Sequence, residues 1–175
     1  MEKEQKITKE KRVIFETLLE GWKETRQLTL DWIDTLSLEQ LNQVLPRPGL
    51  NSFVKHIYEM GEVQKIYTAV LAGEEPKMDK VTSLTFKSEK IVVKSKNKLK
   101  QFLNECDENF YRVVSKVDNW EEKVSVFGVE VSKLDVIELL IRHETLHQGQ
   151  FIAFGYVLDI PFPQSWIDAW ALPTK

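Results

Sequence analysis

The sequence predicts an all-α fold: a four-helix bundle with a short β-hairpin before its last helix. Three observations carry this. Four long segments repeat apolar residues at helical spacing. Pro, Gly and Ser punctuate the breaks between them. Only Lys123 to Val131 alternates as a strand pair would. Four amphipathic helices with little else must bury their stripes against one another, which is the logic of a bundle.

The first helix is expected from about Glu10 to Leu36, with the stripe Ile14, Leu18, Trp22, Thr29, Trp32 and Leu36. Ser37-Leu-Glu-Gln40 is a capping-box pattern and predicts a short extra turn. Pro46, Pro48 and Gly49 break the chain. Asn51 or Ser52 then caps a second helix that ends near Gly73, with Phe53, His56, Met60, Val63, Tyr67 and Leu71 on one face. Residues 74 to 87 read as loop. The third helix starts between Ser88 and Ser95 and runs to about Val117, on the stripe Leu99, Leu103, Cys106, Phe110, Val113 and Val117. A hairpin turning at Phe127-Gly128 follows. Ser132 and Asp135 cap the fourth helix, about Lys133 to Val157. It is apolar on most of its surface and is expected to be the most buried of the four. The tail, with Pro161, Pro163, Trp166 and Trp170, is expected to be irregular but packed back on the bundle.

A chain of 175 residues with 42% hydrophobic content suits one domain, taken as residues 1–175. The net charge of −3 argues against a nucleic-acid binder. Lys87, Lys90, Lys94, Lys96, Lys98 and Lys100 form a basic stretch with no interleaved aromatic beyond Phe86. It reads as a solvated helix face, not a base-stacking surface. No apolar run approaches the roughly 20 residues that span a bilayer. The start of the chain lacks an apolar signal core. A single cysteine, Cys106, rules out an intrachain disulfide. A cytoplasmic location is the expectation. Cys106 lies on the stripe of the third helix and reads as a buried structural thiol.

The chemistry gathers in the three histidines of the chain. His143 and His147 are four residues apart, so they share a helix face at roughly 6 Å between Cβ atoms. His56 falls in the apolar stripe of another helix, so all three face the bundle interior. Buried imidazoles hydrogen-bonded to backbone or to one another are one reading. Each would need a partner or cost on the order of 1–3 kcal/mol. A metal satisfies all three together and leaves a coordination position free, as in catalytic sites.

Two sharper motifs fail on residue count. His143-Glu-Thr-Leu-His147 matches the zinc-protease HExxH, with Glu144 as base. An extended form needs Gly at 150 and His at 153, where the chain has Gln150 and Ala153. No His or Glu follows residue 147, and Asp159 and Asp168 sit in no motif. Glu144 is therefore read as a surface or bundle-edge ion pair. A di-iron carboxylate bundle needs two Glu-x-x-His pairs. Glu144 to His147 supplies one, but Phe53 stands where the second Glu would precede His56.

Asn51-Ser-Phe-Val-Lys-His56-Ile-Tyr-Glu-Met and His143-x-x-x-His147-Gln-Gly-Gln150, in this order and spacing, resemble the DinB/YfiT-like metalloprotein family. The likeness covers about residues 10 to 170, including the hairpin and the Gly155…Asp159-Ile-Pro-Phe-Pro tail. Gln148 departs from the basic residue common at that position. The resemblance implies His56, His143 and His147 as metal ligands and a divalent ion such as zinc or nickel. It implies an enzyme that adds a low-molecular-weight thiol (bacillithiol, mycothiol or glutathione) to an electrophile. The alternatives are a metal-dependent hydrolase using metal-bound water and a non-catalytic metal-binding module. It further implies a small-molecule partner and frequent pairing into homodimers; neither a nucleic acid nor a membrane is expected from the charge and hydropathy read above. Gly149, costly inside a helix, is expected where helices pack closely beside the site.

Overall fold

The computed structural model describes residues 2–86 and 91–173. Its elements are α1 (Glu2–Thr35), α2 (Leu38–Asn42), α3 (Phe53–Leu71), α4 (Asp79–Phe86), α5 (Lys96–Val114), β1 (Lys123–Val126), β2 (Val129–Ser132), α6 (Lys133–Val157) and α7 (Gln164–Trp170). The long helices α1, α3, α5 and α6 form the bundle. α3 packs on both α5 and α6, and α1 packs on α6 and α5. The predicted four-helix architecture with a hairpin before the last long helix is what the chain adopts.

Local signals placed most boundaries. Ser37 accepts from the Gln40 N–H while the Gln40 side chain reaches back to the Ser37 N–H, the reciprocal capping box. Ser52 caps α3 by accepting from Lys55 N. Ser132 and Asp135 make the same reciprocal pair at the start of α6. Between β1 and β2, Phe127 (φ 51°) and Gly128 (φ 82°) are both left-handed, so the two-residue turn matches the twist of its strands.

Five expectations need correction. α1 begins at Glu2, about two turns before the expected start at Glu10. Ile14 is half exposed, because the core-facing residues at that level are Phe15, Leu18 and Leu19. A strict four-residue step drifts about 40° per turn from a 3.6-residue helix, and Ile14 lies one such step too far. Residues 79–86 are helix, not loop: Val81 and Leu84, three apart, bury on one side of α4. On α5, Val114 is buried where the stripe predicted Val113, and the helix ends before Val117. The tail contains a helix, α7, whose Trp166 is fully buried, donates to Leu28 O at 2.6 Å and stacks on Trp32 at 5.0 Å. Ser88, Lys87 and Lys90 lie outside the described residues.

α3, and not α6, is the most enclosed helix. It buries polar as well as apolar positions on nearly every side, whereas α6 leaves Leu146, Tyr156 and Val157 in solvent. Two apolar clusters sit along the bundle. One surrounds Trp32, Phe53 and Phe151, and the other surrounds Trp22, Phe110 and Val136. No helix among the described residues is long and apolar enough to cross a membrane.

Candidate metal centre

Where α3 faces α6, four polar side chains meet inside an apolar wall. α3 contributes His56 and Glu59, which are three residues apart and so share a face. α6 contributes His143 and His147. His147 Nε2 lies 2.8 Å from Glu59 Oε2 and 3.3 Å from His143 Nε2, and His143 Nε2 lies 3.4 Å from the same carboxylate oxygen. One ligand atom from each of Glu59, His143 and His147 falls within 4.8 Å of the others. His56 approaches the other side of the His147 ring: the two Nδ1 atoms are 2.8 Å apart, so one N–H donates to the other lone pair. The structure thus brings all three predicted histidines together. The atoms that converge on one point belong to His143, His147 and Glu59.

Glu59 was missed as a site residue in the sequence. Its signal was the His56-x-x-Glu59 spacing, which places a carboxylate one turn along from the first histidine. Phe151 and Phe154 wall the His56 side, with ring centroids 5.3 and 6.3 Å from that of His56. His143 retains 19% side-chain exposure and is the most accessible of the four.

This enclosure sets the protonation states. Burial, reinforced by His147 and Arg47, pulls His56 down to about 3. Burial also lowers His147, against the opposing pull of Glu59. Burial alone would raise Glu59, but hydrogen bonds from His143 and His147 outweigh it and take the carboxyl to about 2. The cluster therefore holds neutral imidazole beside carboxylate, the donor forms a divalent ion requires. His143 Nδ1 is buried with no hydrogen-bond partner among the described residues. Unpaired buried polar atoms are costly, and a site with a ligand absent is one place where they occur. The donor set of imidazole and carboxylate fits zinc and its neighbours.

Glu144 points elsewhere, although it follows His143 directly. It is buried, accepts from Thr29 Oγ1 at 2.6 Å and pairs with Arg26 Nη2 at 3.2 Å. Arg26 also reaches Asp107 at 3.3 Å and donates to Gln64 Oε1. The ion pair expected at the surface is thus an interior one, and burial pushes the Glu144 carboxyl up. An HExxH geometry, with its glutamate beside the histidine pair, does not form. Gln148 joins the same network, donating to Thr25 O and Thr29 Oγ1. Cys106 is buried as expected, donates to Gly61 O at 3.6 Å, and is pushed up to about 11 by burial. At Gly149 the expected close packing is absent within the chain: a Cβ there would meet no atom within 4 Å.

The fold and site together define a helical bundle whose two facing helices present a buried histidine–carboxylate cluster able to hold a metal ion. The chain belongs to the DinB family, whose model matches residues 3–154. Its fold is similar to the crystal structure of a DinB-like protein from Bacillus cereus ATCC 10987, with a TM-score of 0.64 and 18% sequence identity. That match covers 85% of this chain and 95% of the other. No curated protein matches the sequence.

Proposed function

We propose that the chain is a divalent-metal-dependent transferase that adds a low-molecular-weight thiol to small electrophiles. Its ligands are taken to be His56, His143 and His147, with Glu59 as a further donor. The observation that carries this reading is the convergence of one ligand atom each from His143, His147 and the anionic Glu59 carboxylate in a largely buried cluster. A divalent ion bound there would favour the thiolate over the thiol at neutral pH. The residues supply the rest. Phe151 and Phe154 wall the His56 side of the cluster, and the Glu59 carboxylate lies 2.8 Å from His147 Nε2. His143, the most exposed member, marks the side from which substrate enters.

Hydrolysis is the second reading, and Glu59 is the observation that favours it. A carboxylate held anionic beside the centre can take a proton from attacking water as readily as from a thiol. Imidazole and carboxylate donors do not choose among divalent ions; zinc and nickel are the first to test.

The experiment loads the purified protein with cobalt and titrates a small thiol. Elemental analysis should give bound metal in the native chain and a sharp loss in His56→Ala, His143→Ala and His147→Ala. The thiol should produce a sulfur-to-metal charge-transfer band in the native protein. Full occupancy in His56→Ala removes that residue from the ligand set and leaves Glu59 with His143 and His147. Absence of a thiol band, with ester or amide cleavage present, transfers the assignment to the hydrolase. Absence of both leaves a metal-binding module.

A further inference from the structure

The loop before α3 carries a cation whose role the centre itself does not explain. Arg47 lies between Pro46 and Pro48, which restrict the backbone around it. Leu45 N donates to Asn51 O at 2.9 Å and Arg47 N donates to Leu45 O at 2.8 Å, so the loop is pinned at its base. Gly49, with φ 76°, packs its Cα so tightly on Thr85 O that no side chain could be accommodated there. From this fixed loop the Arg47 guanidinium spans to α6, donating through Nη1 to Gln150 Oε1 at 3.1 Å and through Nε to Pro48 O at 3.3 Å. Gln150 follows His147 by three residues, so it lies on the same face, about 4.5 Å along the helix.

Half-buried arginines ordinarily meet a carboxylate. Among the described residues none forms an ion pair with Arg47, whereas buried Arg26 has two such partners. Both contacts of Arg47 are to neutral oxygens. These orient the fork and leave its charge uncompensated beside the histidines.

We infer that Arg47 is a specificity-determining residue that receives a substrate carboxylate as the reacting group enters the histidine–carboxylate centre. A planar guanidinium with free N–H groups matches a carboxylate in a two-bond fork. The pinned loop and the single helical turn between Gln150 and His147 suit a small molecule whose carboxylate lies a few bonds from its reacting atom. This inference rests on the centre proposed above but not on the thiol chemistry.

The test compares 3-mercaptopropionate with its neutral amide, 3-mercaptopropionamide, on the cobalt-loaded full chain. The carboxylate is expected to reach half-saturation of the charge-transfer band at a concentration about tenfold lower than the amide. Arg47→Gln should erase that preference, bringing the acid and amide midpoints together, and Arg47→Lys should restore part of it. In parallel, propionate, which has no thiol, is titrated into metal-free protein and followed by NMR. Its binding should weaken about tenfold in Arg47→Gln. If neither thiol gives a band but propionate binding depends on Arg47, the carboxylate site stands and the thiol reading falls. If propionate binds Arg47→Gln as well as it binds the native protein, or if the variant keeps the preference for the acid, the inference is overturned.

Discussion

α3 and α6 build the same centre from opposite sides, yet they occupy the bundle differently. α6 spreads its apolar residues more evenly around its axis but exposes Leu146 (59%), Tyr156 (48%) and Val157 (69%). α3 carries Lys55, Glu59, Gln64 and Thr68, and all four are buried. The difference is positional. α3 is covered by α5, α6, α4 and α2 and touched by β1, while α6 is backed by α1 and α3, touched by the hairpin, and leaves Leu146 and Gly149 on an open outer face. Hydropathy reports what a helix can bury; neighbours decide what it does bury. The polar residues of α3 then become informative, because a buried polar group persists only with partners. Glu59 finds them in the centre. Gln64 finds them in Arg26 and Asp107.

The largest expected test of this contrast removes one apolar side chain from each helix. Phe53 is fully buried against Trp32 and Phe151, at 5.8 and 5.4 Å between ring centroids. Phe53→Ala should cost about 3–5 kcal/mol, because the surrounding rings cannot collapse into the space. Leu146→Ala should lie within about 0.5 kcal/mol of the native chain. Urea unfolding of the two variants measures both. A large loss at Leu146 would mean that the outer face of α6 is covered in solution.

The enclosed chemistry of α3 should also appear in acid. His56 titrates near 6.5 when unfolded and is held at about 3 when folded. Between those values the unfolded chain binds a proton that the native chain refuses, so stability falls as pH drops through that window. Glu59, held at about 2 against 4.5, adds a loss in the same direction at lower pH. Metal-free protein is therefore expected to melt at progressively lower temperature from about pH 6.5 downward. His56→Gln should flatten the upper part of that slope. A native melting curve unchanged between pH 7 and pH 5 would show that the imidazole is not enclosed as described.

How much of this was legible in the sequence follows the range of each signal. Caps and turns act over four residues, so Ser37, Ser132, Asp135 and Phe127-Gly128 were read correctly from the chain alone. Inward-facing histidines were legible because each lies in an apolar stripe. Glu59 was not, because a carboxylate near the stripe edge of a helix resembles any solvated residue until the helix proves to be enclosed. Glu144 erred in the same way: its partners Arg26 and Thr29 lie 118 and 115 residues away in the chain. α4 was too short to show a period, and it forms because α3 offers Val81 and Leu84 a surface. The relative burial of α3 and α6 depended on neighbours that no local pattern contains.

The smallest and sharpest comparison uses one substitution on each helix. A Cβ on Gly61 of α3 would come within 2.6 Å of Phe102 Cζ. That ring is confined between Tyr58 and the Lys65 ammonium, at 5.1 and 4.5 Å. Gly61→Ala gains about 1 kcal/mol of helix propensity but forces an overpacked contact worth roughly 1–3 kcal/mol against it. The expected net is a loss of about 1 kcal/mol, seen as a melting temperature lower by about 2–4 °C. At Gly149 of α6 the added methyl meets nothing, so only the propensity acts. Gly149→Ala should raise the melting temperature by about 2–4 °C. Opposite signs for the same chemical change would follow from the enclosure of one helix and the openness of the other. A loss at Gly149, repeated at several protein concentrations and growing as the protein is concentrated, would instead place a second copy of the chain against that face.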